Sequence, residues 1–583
     1  MKKMMKLLAI FAIGAVLFAQ GCKEEDLKPA PTVSLDATEG QANPGGVVTI
    51  TATVTAPYKG QSLTVFVQGV EAESFDIAGA RDFEQAFEYT VPANAVVGSV
   101  IIISFQATDR ENFPSAIANY KLTVGDPVII LQGTLTTQAL VAGQPYLLKG
   151  QTFIPNGVTL TIPAGTTIKG DKASKATLIV QPGGKLVANG TASAPVVFTS
   201  AQAVGERDRG DWGGIVMLGD AWVNQAALPA IEGLNPAQTF GNITSPSTNA
   251  NQNAGTLTYV RIEYAGIELT PNNETNSLTF GGVGSGTVVD YVQVSFGGDD
   301  GFEWFGGTVN AKHLVSLSTW DDDFDTDFGW GGNVQYGLVV RNPFFADQSG
   351  SNSFESDNQG NANETPQSAA GYTRGIFSNI TVLGPRETSS RSISGNYQHA
   401  LHIRRRSALS VFNSVFAGFR LGLRIDDQPT LDNLNNGTGK LAHNVLLVPH
   451  TTVASLSSSA SDASFITGIS ADAAAIKAYW DANGNTTINP TANTGAGSWT
   501  ATENPYAGLG ISTSLFWGGQ TSTNYPSNPN FAVTTGTLSS GANFGDAKFT
   551  GNTFFEAVGY KGAFGSTDWT DGWAEFQPLN KVQ

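Results

Sequence analysis

The chain of 583 residues contains one cysteine, five histidines and four methionines. A single thiol, Cys22, excludes internal disulfides, thiolate metal sites and a cysteine nucleophile in the folded regions that follow it. Charge is scarce as well, at 14% of residues, where average proteins carry about 25%. The basic residues are the scarcer kind, with 32 Lys and Arg against 49 Asp and Glu and a formal net charge of −17. That balance argues against a nucleic-acid partner, because phosphate binding needs a basic face that releases counterions. The apolar run Leu7 to Ala19 falls short of the about 20 residues of a spanning helix. Glycine is abundant, 67 residues, and with Thr, Asn and Val in excess it points to β-strands joined by many turns and excludes a helical bundle. At 41% apolar the chain is too hydrophobic for disorder and too long for one small domain.

Lys2, Lys3 and Lys6 followed by Leu7 to Ala19 form the basic and hydrophobic parts of a secretory signal. Ala19-Gln20-Gly21-Cys22 resembles a bacterial lipobox, which implies removal of residues 1–21 and lipidation of Cys22. Lys23-Glu24-Glu25-Asp26 is similar to the export signal of Bacteroidetes lipoproteins displayed at the cell surface. The resemblance implies a protein anchored by lipid in the outer membrane and exposed outside the cell. Residues 22–31, polar and holding Pro29 and Pro31, suit a solvated tether.

From residue 32 to 125, short runs alternate with period two, as in Val48-Thr49-Ile50-Thr51-Ala52-Thr53-Val54 and Leu63-Thr64-Val65-Phe66-Val67, separated by Gly, Pro and Asn turns. This pattern predicts a two-sheet β-sandwich. Ala107-Thr108-Asp109-Arg110 and Tyr120-Lys121-Leu122-Thr123-Val124 resemble the last hairpin of bacterial immunoglobulin-like domains, which implies a spacer.

Residues 126–583 change from sandwich to repeat. Leu160-Thr161-Ile162-Pro163-Ala164-Gly165 recurs as Leu178-Ile179-Val180-Gln181-Pro182-Gly183 at a step of 18, a step that also relates Ile168 to Leu186 and Val180 to Phe198. The expectation is that residues 18 apart stack inside a coil. Together with Gly210-Asp211-Trp212-Gly213-Gly214-Ile215, this region resembles right-handed parallel β-helix proteins. Further rungs begin at Tyr259, Tyr291, His313, Tyr336, Asn379, Ser414 and Asn444, with steps of 32, 22, 23, 43, 35 and 30. A bare coil needs about 20–25 residues, so the longer steps hold loops, which in solenoids crowd one face. Loops near 225–255, 343–374, 386–400 and 426–440 mark that face as the candidate binding surface. One short helix is expected over Ser470 to Asn483, capped by Ser470 and stopped by Gly484, covering an edge or end of the solenoid. Tyr560-Lys561-Gly562-Ala563-Phe564 and Asp568-Trp569-Thr570-Asp571-Gly572-Trp573 resemble the ending of a group of uncharacterised Bacteroidetes lipoproteins and imply a C-terminal cap.

The sharpest chemical signal is acidic. Asp299-Asp300-Gly301-Phe302-Glu303 and Asp321-Asp322-Asp323-Phe324-Asp325 are offset by 22, like the rungs at Tyr291 and His313. In-register stacking sets Asp299 over Asp321, Asp300 over Asp322, Phe302 over Phe324 and Glu303 over Asp325, with Asp327 close by. Carboxylates about 4.8 Å apart repel by a few kcal/mol at an effective dielectric near 20. Raised pKa values, splaying into water, basic partners or a bound cation would each offset this. An all-oxygen set suits a hard cation, so Ca²⁺ is the natural cofactor, held structurally; a solvated acidic edge and a catalytic carboxylate pair are the competing readings. Trp304, Trp320 and Trp330 flank the acids and form either the internal stack or a platform for sugar rings.

The second signal is basic: His399-Ala400-Leu401-His402-Ile403-Arg404-Arg405-Arg406. Strand alternation sends Arg404 and Arg406 to one side and Arg405 to the other, as an anion site or as partners of carboxylates such as Asp426 and Asp427. Acidic metal ligands and Arg on a parallel β-helix resemble pectate-type polysaccharide lyases in ingredients, without a motif that matches residue by residue. No Ser-His-Asp order, HExxH pair or phosphate-binding Gly loop occurs. The sequence thus favours a non-catalytic surface protein that binds an extracellular polymer, most plausibly glycan. A polysaccharide lyase or hydrolase is the enzymatic alternative, and an accessory lipoprotein delivering ligand to an outer-membrane transporter is the third.

Overall fold

In the computed structural model, the described residues are 29–125, 127–270, 273–359, 371–388, 391–448, 466–467, 472–488, 504–517 and 525–581. The signal and lipobox, with Cys22, lie outside them. No helix among the described residues is long and apolar enough to cross a membrane. The chain forms two units, Met1–Val128 and Ile129–Gln583.

The first unit is the expected two-sheet sandwich. One sheet orders Thr32–Leu35, Val47–Thr55 and Asp82–Thr90, all antiparallel. The other orders Glu39–Ala42, Ala118–Val124, Val100–Asp109, Gly60–Val67 and Val70–Asp76. Its first pair, Glu39–Ala42 with Ala118–Val124, is parallel. Alternation delivers Ile50, Ala52 and Val54 from one sheet and Leu63, Val65, Ile103 and Phe105 from the other into one core.

The second unit is a parallel β-helix. Strand Tyr146–Ile154 pairs in parallel with Thr177–Val180, and Thr159–Pro163 pairs with Lys185–Asn189. Leu160 therefore stacks on Leu186, 26 residues on, Ile154 on Val180, and Ile168 on Phe198. The 18-residue step is not the stacking step: it relates different sides of the coil, because each side repeats a short strand and a Pro-Gly turn. From Val260 onward the expected register is observed, with Val260 on Val292, Leu314 on Gly337, Gly337 on Ile380, and Val415 on Val445. One step differs by a residue, since Thr381 pairs with Val415 rather than Phe416.

The first residues of five of these rungs, and the residues just before Ser414 and Asn444 in the other two, make a corner: Tyr259, Tyr291, His313, Tyr336, Asn379, Asn413 and His443 all carry φ between +49° and +67°. That left-handed conformation is disfavoured for bulky residues. Here it is sustained because the rings stack from coil to coil, at centroid distances of 4.3 Å for Tyr259 on Tyr291, 4.1 Å for Tyr291 on His313 and 5.0 Å for His313 on Tyr336.

More helix is present than expected. Helix Gln428–Asn435 occupies the loop at 426–440; the Asp427 carboxylate accepts from Thr430 N at 2.8 Å, and Pro429 fits its first turn. A short helix, Pro505–Leu509, follows later. The expected helix runs Ala473–Ala482 and is capped by Asp472, not Ser470, with Asp472 accepting from Ala474 N at 2.9 Å. Its buried Ile476, Tyr479 and Trp480 join the core, so it does cover the solenoid. The tail, however, is no end cap. It lies along one side of the coil, where Leu317, Leu338, Val340 and Leu447 face outward and need cover, and supplies Phe531, Phe564, Trp573 and Phe576 to that second core. Side-chain amides fasten it: Gln335 and Glu556 exchange two hydrogen bonds at 2.8 and 2.9 Å, and Gln293 and Glu575 exchange two at 2.7 and 2.8 Å.

Candidate functional site

Strand Phe302–Phe305 lies over Phe324–Asp327, then Phe354–Ser356, His399–Ile403 and Leu421–Ile425. Alternation sends Phe302, Phe324, Phe354, Leu401 and Leu423 inward. The next position faces out, and register stacks Glu303, Asp325, Glu355, His402 and Arg424 on one another. This ladder begins acidic and ends basic.

The expected stacking of the two acidic runs is thus present. Phe302 lies over Phe324, with rings 5.7 Å apart, and Glu303 lies over Asp325. Asp300 accepts from Asp322 N at 2.7 Å. Asp322 in turn accepts from the backbone and side-chain amides of Asn352, and Asn276 donates to Glu303. Of the expected set, Asp299, Asp300, Glu303, Asp321, Asp322 and Asp325 line one cavity of about 390 Å³. Glu355, Glu232 and Glu274 complete its acidic wall, and Arg404 is the single basic residue lining it among the described residues. Ser349, Gly350 and Gln398 reach it from the inserted loops.

Three groups of carboxylates bring ligand atoms within 4.8 Å of one another: Asp299, Asp300 and Asp321; Asp300, Glu303 and Asp325; and Asp322, Asp325 and Glu355. The buried oxygens Asp321 Oδ1 and Asp325 Oδ1 have no hydrogen-bond partner among the described residues. Burial first, then mutual repulsion, pushes Asp299, Asp300, Glu303, Asp322 and Asp325 well above the usual carboxylate range. Burial, helped by Asp347 and Glu355 and opposed by Arg341, pushes Asp321 up to about 7. These oxygens and this charge density fit a hard divalent cation.

The remaining expected residues are elsewhere. Asp323 does not line the cavity and pairs with the fully buried Arg341 at 3.1 Å, accepting also from Ser316 and Thr319. Asp327 stands outside the cavity at the basic end, accepting from Phe328 N at 2.7 Å and near Arg404, Arg405 and Asp357. Trp304 and Trp330, both 0% exposed, are internal, their rings 5.2 Å apart. Neither offers a sugar platform. Trp320 is partly exposed, but Arg209 covers its ring at 3.5 Å and Asp347 accepts its Nε1–H at 2.7 Å.

Alternation also fails at the arginines, because the strand ends at Ile403 and the turn takes Arg405 and Arg406 to φ of +50° and +66°. Arg404 and Arg405, rather than Arg404 and Arg406, converge. Arg404 Nε donates to Asp357 Oδ1 at 2.7 Å and Nη2 to Glu355, while Arg405 donates to Asp357 Oδ2 at 2.5 Å. Arg406 is held through its backbone N to Thr430 Oγ1 at 2.9 Å and does not line the cavity. His402 bridges Glu355 at 3.2 Å and Asp426 at 3.0 Å. Burial works against its charge, but the two carboxylates outweigh it and raise its pKa. Glu355 is correspondingly lowered despite burial, by His402 and Arg404.

Glu355 and Asp357 had a signal in the sequence: Phe354-Glu355-Ser356-Asp357 echoes Phe324-Asp325-Thr326-Asp327 thirty residues on. Glu232, Glu274 and Gln398 had none, since loops bring them in.

Residues 133–504 match the family model described as "Pectate-lyase like beta helix domain". The match spans more than half of the chain, which belongs to this family. No curated protein matches the chain. Among solved structures, the fibronectin(III)-like modules of Clostridium thermocellum CbhA match at 26% identity over 17% of this chain, with a TM-score of 0.14. The chain covers 47% of that structure, less than half its length.

Proposed function

We propose that the acidic cavity holds Ca²⁺ and, through it, binds the carboxylates of an anionic extracellular polysaccharide without cleaving it. One observation carries this reading: among the described residues, an acidic wall of stacked carboxylates, with buried oxygens of Asp321 and Asp325 left unpartnered, lines a cavity in which Arg404 is the single basic residue. A cation bridging these oxygens relieves the repulsion and leaves positions for ligand oxygens. Binding is preferred to catalysis because the basic groups at the site are already engaged: Arg404 by Glu355 and Asp357, His402 by Glu355 and Asp426. The family description supports a lyase or hydrolase as the second reading.

In this proposal, lipid on Cys22 anchors the protein in the outer membrane with its solenoid outside the cell. The sandwich, whose strand order supports an immunoglobulin-like domain, acts as spacer, and a transporter is a candidate partner. The test is retention of the full chain on immobilised polygalacturonate or alginate, with Ca²⁺ or with chelator. Retention with Ca²⁺, lost with chelator and in Asp325→Asn, is expected; equal behaviour in all arms refutes the calcium bridge. Rising absorbance from unsaturated products in the same mixtures establishes the lyase instead.

A further inference from the structure

A second cavity, of about 240 Å³, lies on another side of the solenoid, between the aromatic corner and the tail that crosses it. His313 and Tyr336 form one wall, and Glu556, Tyr560, Ser566 and Trp569 form the other. Both faces of His313 are covered, by Tyr291 at 4.1 Å and Tyr336 at 5.0 Å, so this ring meets its surroundings through its edge. Trp569 lies flat on Phe564 at 5.0 Å with an interplanar angle of 8° and stands edge-to-face with His313 at 5.1 Å.

The polar atoms of the cavity are set for a polyhydroxylated ligand. His313 Nδ1 donates to Asp290 Oδ1 at 2.7 Å, which fixes the ring. Its Nε2 has no hydrogen-bond partner among the described residues and is left to bond a ligand in the cavity. Tyr336 donates to Glu556 at 3.4 Å, and Tyr560 lines the same cavity. The exposed Ser566 and Thr567 place two more hydroxyls at the rim. Charge is balanced locally, since Lys312 pairs with Glu556. The volume is below the range of about 300–1,000 Å³ of drug-sized sites, and so suits one small ring.

We infer that this cavity is a second ligand site, taking a single uncharged sugar ring recognised by hydrogen bonds. Charged ligands are disfavoured because Glu556, the one carboxylate lining the cavity among the described residues, is already paired with Lys312. The site shares no residue with the acidic cavity.

The test is saturation-transfer NMR on the full chain in chelator, which silences any calcium-dependent binding, with glucose, galactose, mannose, arabinose, galacturonate and choline as probes. Ser566→Trp fills the mouth from an exposed position, and His313→Phe keeps a ring in the stack while removing Nε2 together with the Nδ1 bond to Asp290. At least one neutral sugar should give transfer in the wild type, abolished in Ser566→Trp and weakened at least tenfold in His313→Phe, with melting temperatures of both variants reported alongside. No transfer from any neutral sugar, transfer unchanged in Ser566→Trp, or a preference for choline or galacturonate overturns the inference. Since chelator is present throughout, failure here leaves the calcium reading standing, and the reverse also holds.

Discussion

The corner ladder Tyr259, Tyr291, His313, Tyr336 and the outward ladder Glu303, Asp325, Glu355 are built by the same operation, one residue per coil in strict register. Adjacent rings in the first attract, each contact contributing about 0.5–1.5 kcal/mol beyond burial, and they hold a backbone conformation those residues otherwise avoid. Adjacent carboxylates in the second repel, at roughly 3–4 kcal/mol per ionised pair for an effective dielectric near 20. A solenoid therefore multiplies whatever one coil contains. Repetition of an attractive group is structural, whereas repetition of a repulsive one has to be offset, by protonation, by basic partners such as His402 and Arg404 at Glu355, or by a cation from outside, and the proposed function rests on the last of these.

The comparison can be broken at Arg341, the cation built into the acidic region. Its Nη1 donates to Thr319 Oγ1 at 2.8 Å, Asp321 O at 2.6 Å and Asp323 Oδ1 at 3.1 Å. Arg341→Met should lower stability by about 3–5 kcal/mol, because Asp323 loses its buried partner; urea unfolding measures it. A smaller effect is expected from pH. Folded-state pKa values raised above the unfolded ones mean that the native protein holds more protons, so stability in chelator should fall as pH rises from about 4 through the value of about 7 for Asp321. The loss should reach a few kcal/mol, and saturating Ca²⁺ should flatten the curve by binding the native state. Melting temperatures at pH 5 and 8, with and without Ca²⁺, check both halves.

Asp325→Asn sharpens the comparison by removing one charge from the repulsive ladder. In chelator at pH 8 it should raise stability by about 1–3 kcal/mol, and it should abolish the calcium-dependent rise in melting temperature. Tyr291→Leu gives the opposite sign: losing four ring contacts, with Tyr259, His313, Trp569 and Trp573, should destabilise by about 2 kcal/mol at the lower end of about 0.5 kcal/mol each, independent of Ca²⁺ and pH.

Much of this was legible because parallel stacking turns sequence offset into contact. The 22-residue offset of the acidic runs located Glu303 over Asp325, and the apolar cores of the rungs located nearly every register step after Tyr259. The offset of 18 misled because short Pro-Gly turns recur on each side of one coil as well as between coils. Trp304 and Trp330 were ambiguous, since aromatic residues suit both an interior and a sugar site; strand alternation put Trp304 inside, and the turn after Phe324–Asp327 carries Trp330 in against it. Arg404 to Arg406 were misread because alternation holds only while the strand lasts.

Composition and spacing alone determined the β architecture, the change from sandwich to solenoid, and the vertical pairing of acids, because hydrogen-bond register copies linear offsets into space. Tertiary structure alone decided which acids share a cavity, which one Arg341 neutralises, and how Glu232, Glu274 and the tail come to lie against the coils. Those contacts join residues far apart in sequence through loops of irregular length, and no periodicity encodes where such a loop returns.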